Sequence, residues 1–428
     1  MTIRFLQFAS LICFVSVTGP LKAQLDYEQA PINYSDSTPH DRVALFAEKL
    51  HRGEVSLEWE PRHGYLKSFL AAMEVPVESQ TMVFSKTSLQ IHRITPEKPR
   101  AVYFNDDVYV GWVQRGDVVE ISAADPDLGG TFYTLSQQKS DHPRIERETS
   151  RCLQCHGSTH TRRVPGHIVR SVYPDSSGQP VFRLGTHLTE ADAPFEERWG
   201  GWYVTGTHGA QRHMGNVTLS DPDASEELNR ERGANLTDLS TLIDTSPYLS
   251  PHSDITALMV LQHQAFVHNV LTAANHSGRL TARDAKVMNK ALERPENFES
   301  ESTDRRYSSA AEKVVKALLF CGEPELTCPV KGTSEFAEYF AHLGPFDSRG
   351  RSLRELDLQH RLMKYPCSFL VYTDAFRNLP NGVMIRVERR LREILSGEDQ
   401  SSEFAHLSIE QKQAIREILA DTTTLSLN

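Results

Sequence analysis

Residues 101–135 carry the pattern that decides the fold. They contain Ala101-Val102-Tyr103-Phe104, Val108-Tyr109-Val110-Gly111-Trp112-Val113, Val118-Val119-Glu120-Ile121 and Thr131-Phe132-Tyr133-Thr134-Leu135, separated by Asn105-Asp106-Asp107, Gln114-Arg115-Gly116-Asp117 and Asp125-Pro126-Asp127-Leu128-Gly129-Gly130. Short runs of β-branched and aromatic residues bounded by turn formers read as antiparallel strands. Met82-Val83-Phe84 adds a strand upstream, and the apolar positions of Val43-Ala44-Leu45-Phe46 and Tyr65–Ala72 suggest one or two helices before it. Downstream, Ile168–Tyr173 and Val181–Leu184 flank Pro174-Asp175-Ser176-Ser177-Gly178-Gln179-Pro180 as a hairpin, and Gly201–Gly206 with Gly215–Leu219 reads as a further strand pair.

Beyond a polar stretch beginning at Ser220 the period changes. Ile255–Leu271, Ala310–Phe320, Ser352–Leu362, Gly382–Leu395 and Ile409–Leu419 have apolar residues at helical spacing, the last with Ser408 placed as a cap. The expected class is therefore α+β. A lead-in segment over 24–42 is followed by a mixed sheet domain over 43–225, a linker over 226–251 and a helical domain over 252–428.

The chain starts Met1-Thr2-Ile3-Arg4, runs apolar from Phe5 to Val17, and reaches Leu21-Lys22-Ala23 before Gln24. A basic start, a short apolar run and a small residue predict a signal peptide over 1–23, cleaved after Ala23, and an exported, periplasmic protein. Cleavage removes Arg4 and Lys22 and takes the formal charge from -10 to -12. That charge argues against a nucleic-acid partner. No later segment has the roughly 20 apolar residues of a spanning helix, so no transmembrane span is expected in the mature chain.

Cys152-Leu153-Gln154-Cys155-His156 carries the chemistry. Two cysteines two residues apart can each form a thioether to a haem vinyl group, while the adjacent histidine reaches the iron. A redox dithiol would be expected to open a helix directly after a strand, and Gly157-Ser158-Thr159-His160-Thr161 does not encourage that. Zinc would need further ligands at suitable spacing. One motif predicts one covalent haem c, with His156 as the proximal iron ligand.

The sixth iron position decides what such a haem does. Candidates in the same domain are His160, His167, His187, His208, His213 and Met214; the last three cluster beside Trp199-Gly200-Gly201-Trp202-Tyr203 and are the expected distal group, His208 and His213 as ligand or catalytic proton donor and Met214 as ligand. Trp202 is the aromatic candidate for the haem wall, and Arg170, inside a predicted strand, is the candidate partner for a propionate. His263 and His268 lie five positions apart on the first C-terminal helix and do not share a face. Cys321 and Cys328 bracket a Gly- and Pro-bearing segment and are expected to form a disulfide, leaving Cys367 as a buried free thiol.

The Cys152–His156 stretch resembles the haem attachment motif of single-haem c-type cytochromes. The order of Thr131–Leu135, the motif and the hairpin about Asp175–Gly178 is similar to haem sensor domains of the PAS-like type, in which the motif interrupts a sheet. The helical half is an addition that a simple sensor domain would not need. Electron transfer with a periplasmic redox partner protein asks for the fewest specially placed residues. The alternatives are a haem enzyme with an open distal site, peroxidase-like or reducing a small oxyanion, and a gas or redox sensor that takes a small-molecule ligand.

Overall fold

The computed structural model describes residues 25–220 and 228–427; the expected signal peptide and the junction of sheet domain and linker at 225–227 lie outside the described residues. Two short helices open the fold, α1 (Arg42–His51) and α2 (Leu66–Ala72). Asp41 caps α1, one carboxylate oxygen accepting from the N–H groups of Val43 and Ala44 and the other from Tyr133 Oη and Thr131 Oγ1. The cap thus also ties the helix to the sheet.

Six strands follow as a continuous antiparallel meander: β1 (Thr81–Val83), β2 (Arg100–Phe104), β3 (Val108–Trp112), β4 (Val118–Asp125), β5 (Gly129–Ser136) and β6 (Ile145–Arg147). The register aligns Val110 with Ile121 and Ile121 with Tyr133. Period-2 alternation sorts the faces. Val119, Ile121 and Ala123 pack with Val43, Leu66 and Phe69 beneath α1 and α2. Val102, Phe104 and Tyr109 turn to the opposite face and join the core of the helical half.

The predicted motif lies in α3 (Leu153–His156), a single turn after β6. Next come β7 (Arg170–Val172) and β8 (Thr186–Leu188), which pair with each other, then β9 (Trp202–Tyr203), which returns to close the sheet beside β1. The motif therefore does interrupt the sheet in sequence. Two expectations are corrected here. The turn over 174–180 closes as expected, Val181 N donating to Tyr173 O at 2.8 Å, but the pairing stops there because Phe182–Leu184 forms a 3-10 turn, and the strand that pairs with β7 is 186–188. The 201–206 and 215–219 segments do not form a strand pair. Asn216 has a positive φ of 68°, and it is its side-chain amide that bonds Val204 N and O, at 2.7 and 2.8 Å.

The C-terminal half is a bundle of helices. It holds β10 (Gly206–Thr207), paired with β11 (Lys331–Gly332), and α4 (Ile255–Ala291), α5 (Glu301–Leu318), α6 (Phe336–His342), α7 (Asp374–Arg377), α8 (Asn381–Leu395) and α9 (Ile409–Thr422). Ser408 and Gln411 form a reciprocal capping box on α9. Asp254, fully buried, caps α4 through Thr256 N and Ala257 N with one oxygen and accepts from Thr333 N, Ser334 N and Ser334 Oγ with the other. The stretch 352–362, expected as helix, is instead an irregular turn. Asp357 accepts from Gln359 N, Leu358 takes a φ of 57°, and Leu356 bridges Met363.

The packing runs across the expected domain boundaries. The lead-in buries Tyr27, Ile32 and Tyr34 against Leu128, Phe132 and Leu153. The expected linker buries Leu239, Ile243 and Tyr248 in the sheet core. The 37-residue α4 lies against the sheet and against α5 and α8, and one hydrophobic core spans Val102, Tyr109, Leu258, Val314 and Val387. Among the described residues no helix is long and apolar enough to cross a membrane.

Candidate functional site

A cavity of about 360 Å³ lies between the open face of the sheet and α4. Val102 and Tyr109 come from β2 and β3, Phe132 from β5, Val169 from just before β7, and Leu261 and Ala265 from α4. Trp202, Cys152, Cys155 and His156 line it too.

The motif is held there by backbone chemistry. His156 Nδ1 stands 2.8 Å from the carbonyl oxygen of Gly166, to which it donates, so Nε2 is left as the lone-pair nitrogen. The Phe132 ring lies against the imidazole at 4.8 Å between centroids. The Pro165–His167 return segment is clamped on both sides. Gly130 N donates to Pro165 O at 2.8 Å, and the Asn269 amide of α4 accepts from His167 N at 2.8 Å and donates to His167 O at 2.7 Å. Only glycine fits at 166, since a Cβ there would stand 2.1 Å from Asn269 Oδ1.

Burial sets the protonation states. It pushes the Cys152 thiol up to about 12, with Glu148 and Glu120 adding to the effect, and it holds His156 below the ordinary imidazole value. Cys152 is therefore a protonated thiol, while Cys155 is exposed. Arg100 and Glu120 both line the cavity and pair at 2.8 Å; Arg151, also lining it, pairs with Glu148.

His167, one of the candidate ligands read from the sequence but not one of the favoured three, shares the cavity. Its Nδ1 is 3.0 Å from Ser122 Oγ, its ring is 4.3 Å from that of Tyr109, and its Nε2 is buried with no hydrogen bond. Burial, helped by His268 and His156, keeps it neutral with a pKa well below the usual value.

The predicted residues divide into two groups. Cys152, Cys155, His156 and Trp202 come together around the cavity. Arg170 does not line it: its Nε donates to Thr186 Oγ1 at 2.7 Å and its guanidinium covers Phe182, while its carbonyl accepts from Trp202 Nε1. His208 and His213 are buried elsewhere, against Phe195 and Trp199, and Met214 is buried with Val217, Leu219 and Leu228, because β10 pairs with β11 and takes the following residues with it. His208 and His213 pack ring to ring at 4.7 Å, His208 using Nδ1 toward Gln211 O and Nε2 toward Asn235 N. Met214 sulfur accepts from Ser171 Oγ at 3.6 Å.

His263 stacks on Phe320 and bonds Ser368, while His268 reaches Asp106 O, so the two do point apart. The expected disulfide is corrected: Cys321 and Cys328 are both free, and Cys367 is a buried thiol. Cys328 instead packs against Gly209, where a Cβ would stand 2.9 Å from its sulfur.

Among the described residues, no three His, Cys, Asp or Glu side chains converge as a metal-ion site. A structural zinc ion asks the protein for four ligands, whereas a porphyrin brings four nitrogens and asks for axial ligands only. Two cysteines, an imidazole presenting Nε2 and apolar walls are the donor set suited to the second case.

No family model matches the chain, and no curated protein or solved structure is significantly similar to it.

Proposed function

We propose that the chain is exported, carries one haem c attached through Cys152 and Cys155 with His156 as iron ligand, and works as a single-haem electron carrier with a periplasmic redox partner. The observation that carries this reading is that all three motif side chains and Trp202 line one apolar-walled cavity of about 360 Å³. The hydrogen bond from His156 Nδ1 to Gly166 O supports it, since it fixes the tautomer a metal ligand needs. The raised pKa of Cys152 speaks against a dithiol redox pair, which depends on a depressed one.

When bound, the haem supplies one-electron redox chemistry at its iron. The chain's own contribution is to exclude water with Val102, Phe132, Leu261 and Ala265, to orient the imidazole through Gly166, and to offer Arg100 and Arg151 to anionic substituents. Exposure of Cys155 favours electron transfer, because the attachment edge is then within reach of a partner surface. A second reading, a haem enzyme or sensor, draws support from His167. An unbonded buried Nε2 on the cavity wall suits a proton donor or a contact to a bound small molecule better than His208 or His213 does.

The test is co-expression with a c-type haem maturation system. The denatured protein should be heavier by one haem and give a haemochrome spectrum, and Cys152→Ala with Cys155→Ala should abolish both. A haem-free mass under conditions that load a control cytochrome would refute the attachment. Rapid carbon monoxide binding by the loaded ferrous protein would move the choice from electron carrier to enzyme or sensor.

A further inference from the structure

A second cavity, of about 300 Å³, opens between α4 and α5 on a different part of the molecule. Its floor is made of small apolar side chains, Val270, Ala273 and Ala274 from α4 and Ala310 from α5. These leave the gap that longer residues would fill. Its rim is cationic: Arg305, Arg306 and Lys313 project from α5, and Arg162 arrives from the turn that follows α3. Ser277, Ser302 and Ser309 add three hydroxyls. On α5 the polar wall positions 302, 305, 306, 309 and 313 follow helical spacing, so one face of the helix is given over to donors.

No carboxylate lines this cavity. The acidic partners stand outside it: Glu301 is 3.6 Å from Arg305, Asp284 is 2.9 Å from Arg306, and Glu190 is 3.0 Å from Arg162. The first two are largely exposed pairs, each worth at most about 1 kcal/mol, the third is half-buried on its Glu190 side, and a bound anion can replace or add to them. Lys313 makes no ion pair among the described residues. Four cations and three hydroxyls with no wall carboxylate, in a chain of net charge -10, form a concentrated positive site that the overall charge does not predict. The volume exceeds that of an inorganic oxyanion several-fold and sits at the lower end of small-ligand pockets, about 300–1,000 Å³.

We infer that the α4–α5 cavity binds a small organic dianion, a dicarboxylate or a phosphomonoester, with its charged ends on Arg162, Arg305, Arg306 and Lys313 and its short carbon body on the alanine floor. The inference is independent of haem attachment. Calorimetric titration of the full mature chain at constant ionic strength, with succinate, glycerol 3-phosphate, inorganic phosphate and chloride as probes, tests it. One or both organic dianions should bind saturably and more tightly than inorganic phosphate, with the preference between them naming the charged group. Arg305→Ala and Lys313→Ala should each weaken that binding about tenfold or more, the scale of a lost charge-assisted contact, while Lys412→Ala, distant on α9, should leave it unchanged. Arg305 and Lys313 are exposed and Lys412 is half-exposed, and circular dichroism matching the parent would establish the folding of each variant. Phosphate binding as tightly as both organic probes would overturn the organic-ligand assignment. No saturable binding of any probe, or binding indifferent to both substitutions, would overturn the site.

Discussion

Replacing Asn269 by alanine should loosen the motif cavity from a distance. Asn269 is 2% exposed, and its amide is the only bridge described here that satisfies both the N–H and the C=O of His167, at 2.8 and 2.7 Å. Truncation leaves those two backbone groups buried without partners, at about 1–3 kcal/mol each. The expected loss is therefore about 4 kcal/mol, close to a thousandfold in the folding equilibrium at about 1.4 kcal/mol per decade. Urea unfolding of parent and variant, fitted with a shared slope, measures it. Asn269→Asp sharpens the test. At neutral pH its second oxygen would face the His167 carbonyl, so the variant should be nearly as destabilised as the alanine. Once protonated in acid, the carboxyl can donate again and the deficit should shrink. A cost below about 1 kcal/mol for the alanine, or an aspartate variant as stable as the parent at neutral pH, would refute the clamp.

Three further outcomes are expected. Asp254→Ala removes the α4 cap and leaves Thr333 N and Ser334 N without their acceptor, so it should cost about 3–5 kcal/mol by urea unfolding, with Asp254→Asn recovering part of that. Burial, then neighbouring Asp106, push the Asp107 carboxyl up to about 7 from 3.8, so its contribution is fully present below the unfolded value and lost as pH rises through the folded one. Relative to the parent, Asp107→Asn should gain stability between about pH 4 and about pH 8, and a parallel pair of pH–stability curves would contradict this. Alkylation of the denatured, unreduced protein, haem-loaded as proposed, should modify three cysteines, Cys321, Cys328 and Cys367; modification of Cys367 alone would restore the disulfide.

The strands of the meander were legible because alternation along β4 has a direct physical cause, one face packing on α1 and α2. The long helices were legible for the same reason, although α4 runs to Ala291, well past the apolar segment ending at Leu271, and α5 starts at Glu301 instead of Ala310. Helix continues there on polar residues that propensity tolerates and apolar spacing does not mark. The 352–362 stretch misled because its apolar residues have helical spacing, while the Asp357 turn that breaks it is a local side-chain bond invisible to periodicity. At the site, the motif and Trp202 were readable from residue type. His167 was one histidine among several, and its placement depends on Gly166 fitting under Asn269 of α4. His208 and His213 were read as distal candidates from their neighbourhood to Trp202, but the pairing of β10 with β11 is a long-range event that carries them away from the motif.

The α4 wall has a consequence for the order of events during synthesis. Asn269 follows His167 by 102 residues, and Leu261 and Ala265 close the cavity from the same helix. A chain emerging amino end first exposes Cys152 and Cys155 well before that wall exists. The proposed covalent loading of the cavity would thus have a natural interval, open while the later residues are still in transit and closing when α4 docks on the sheet.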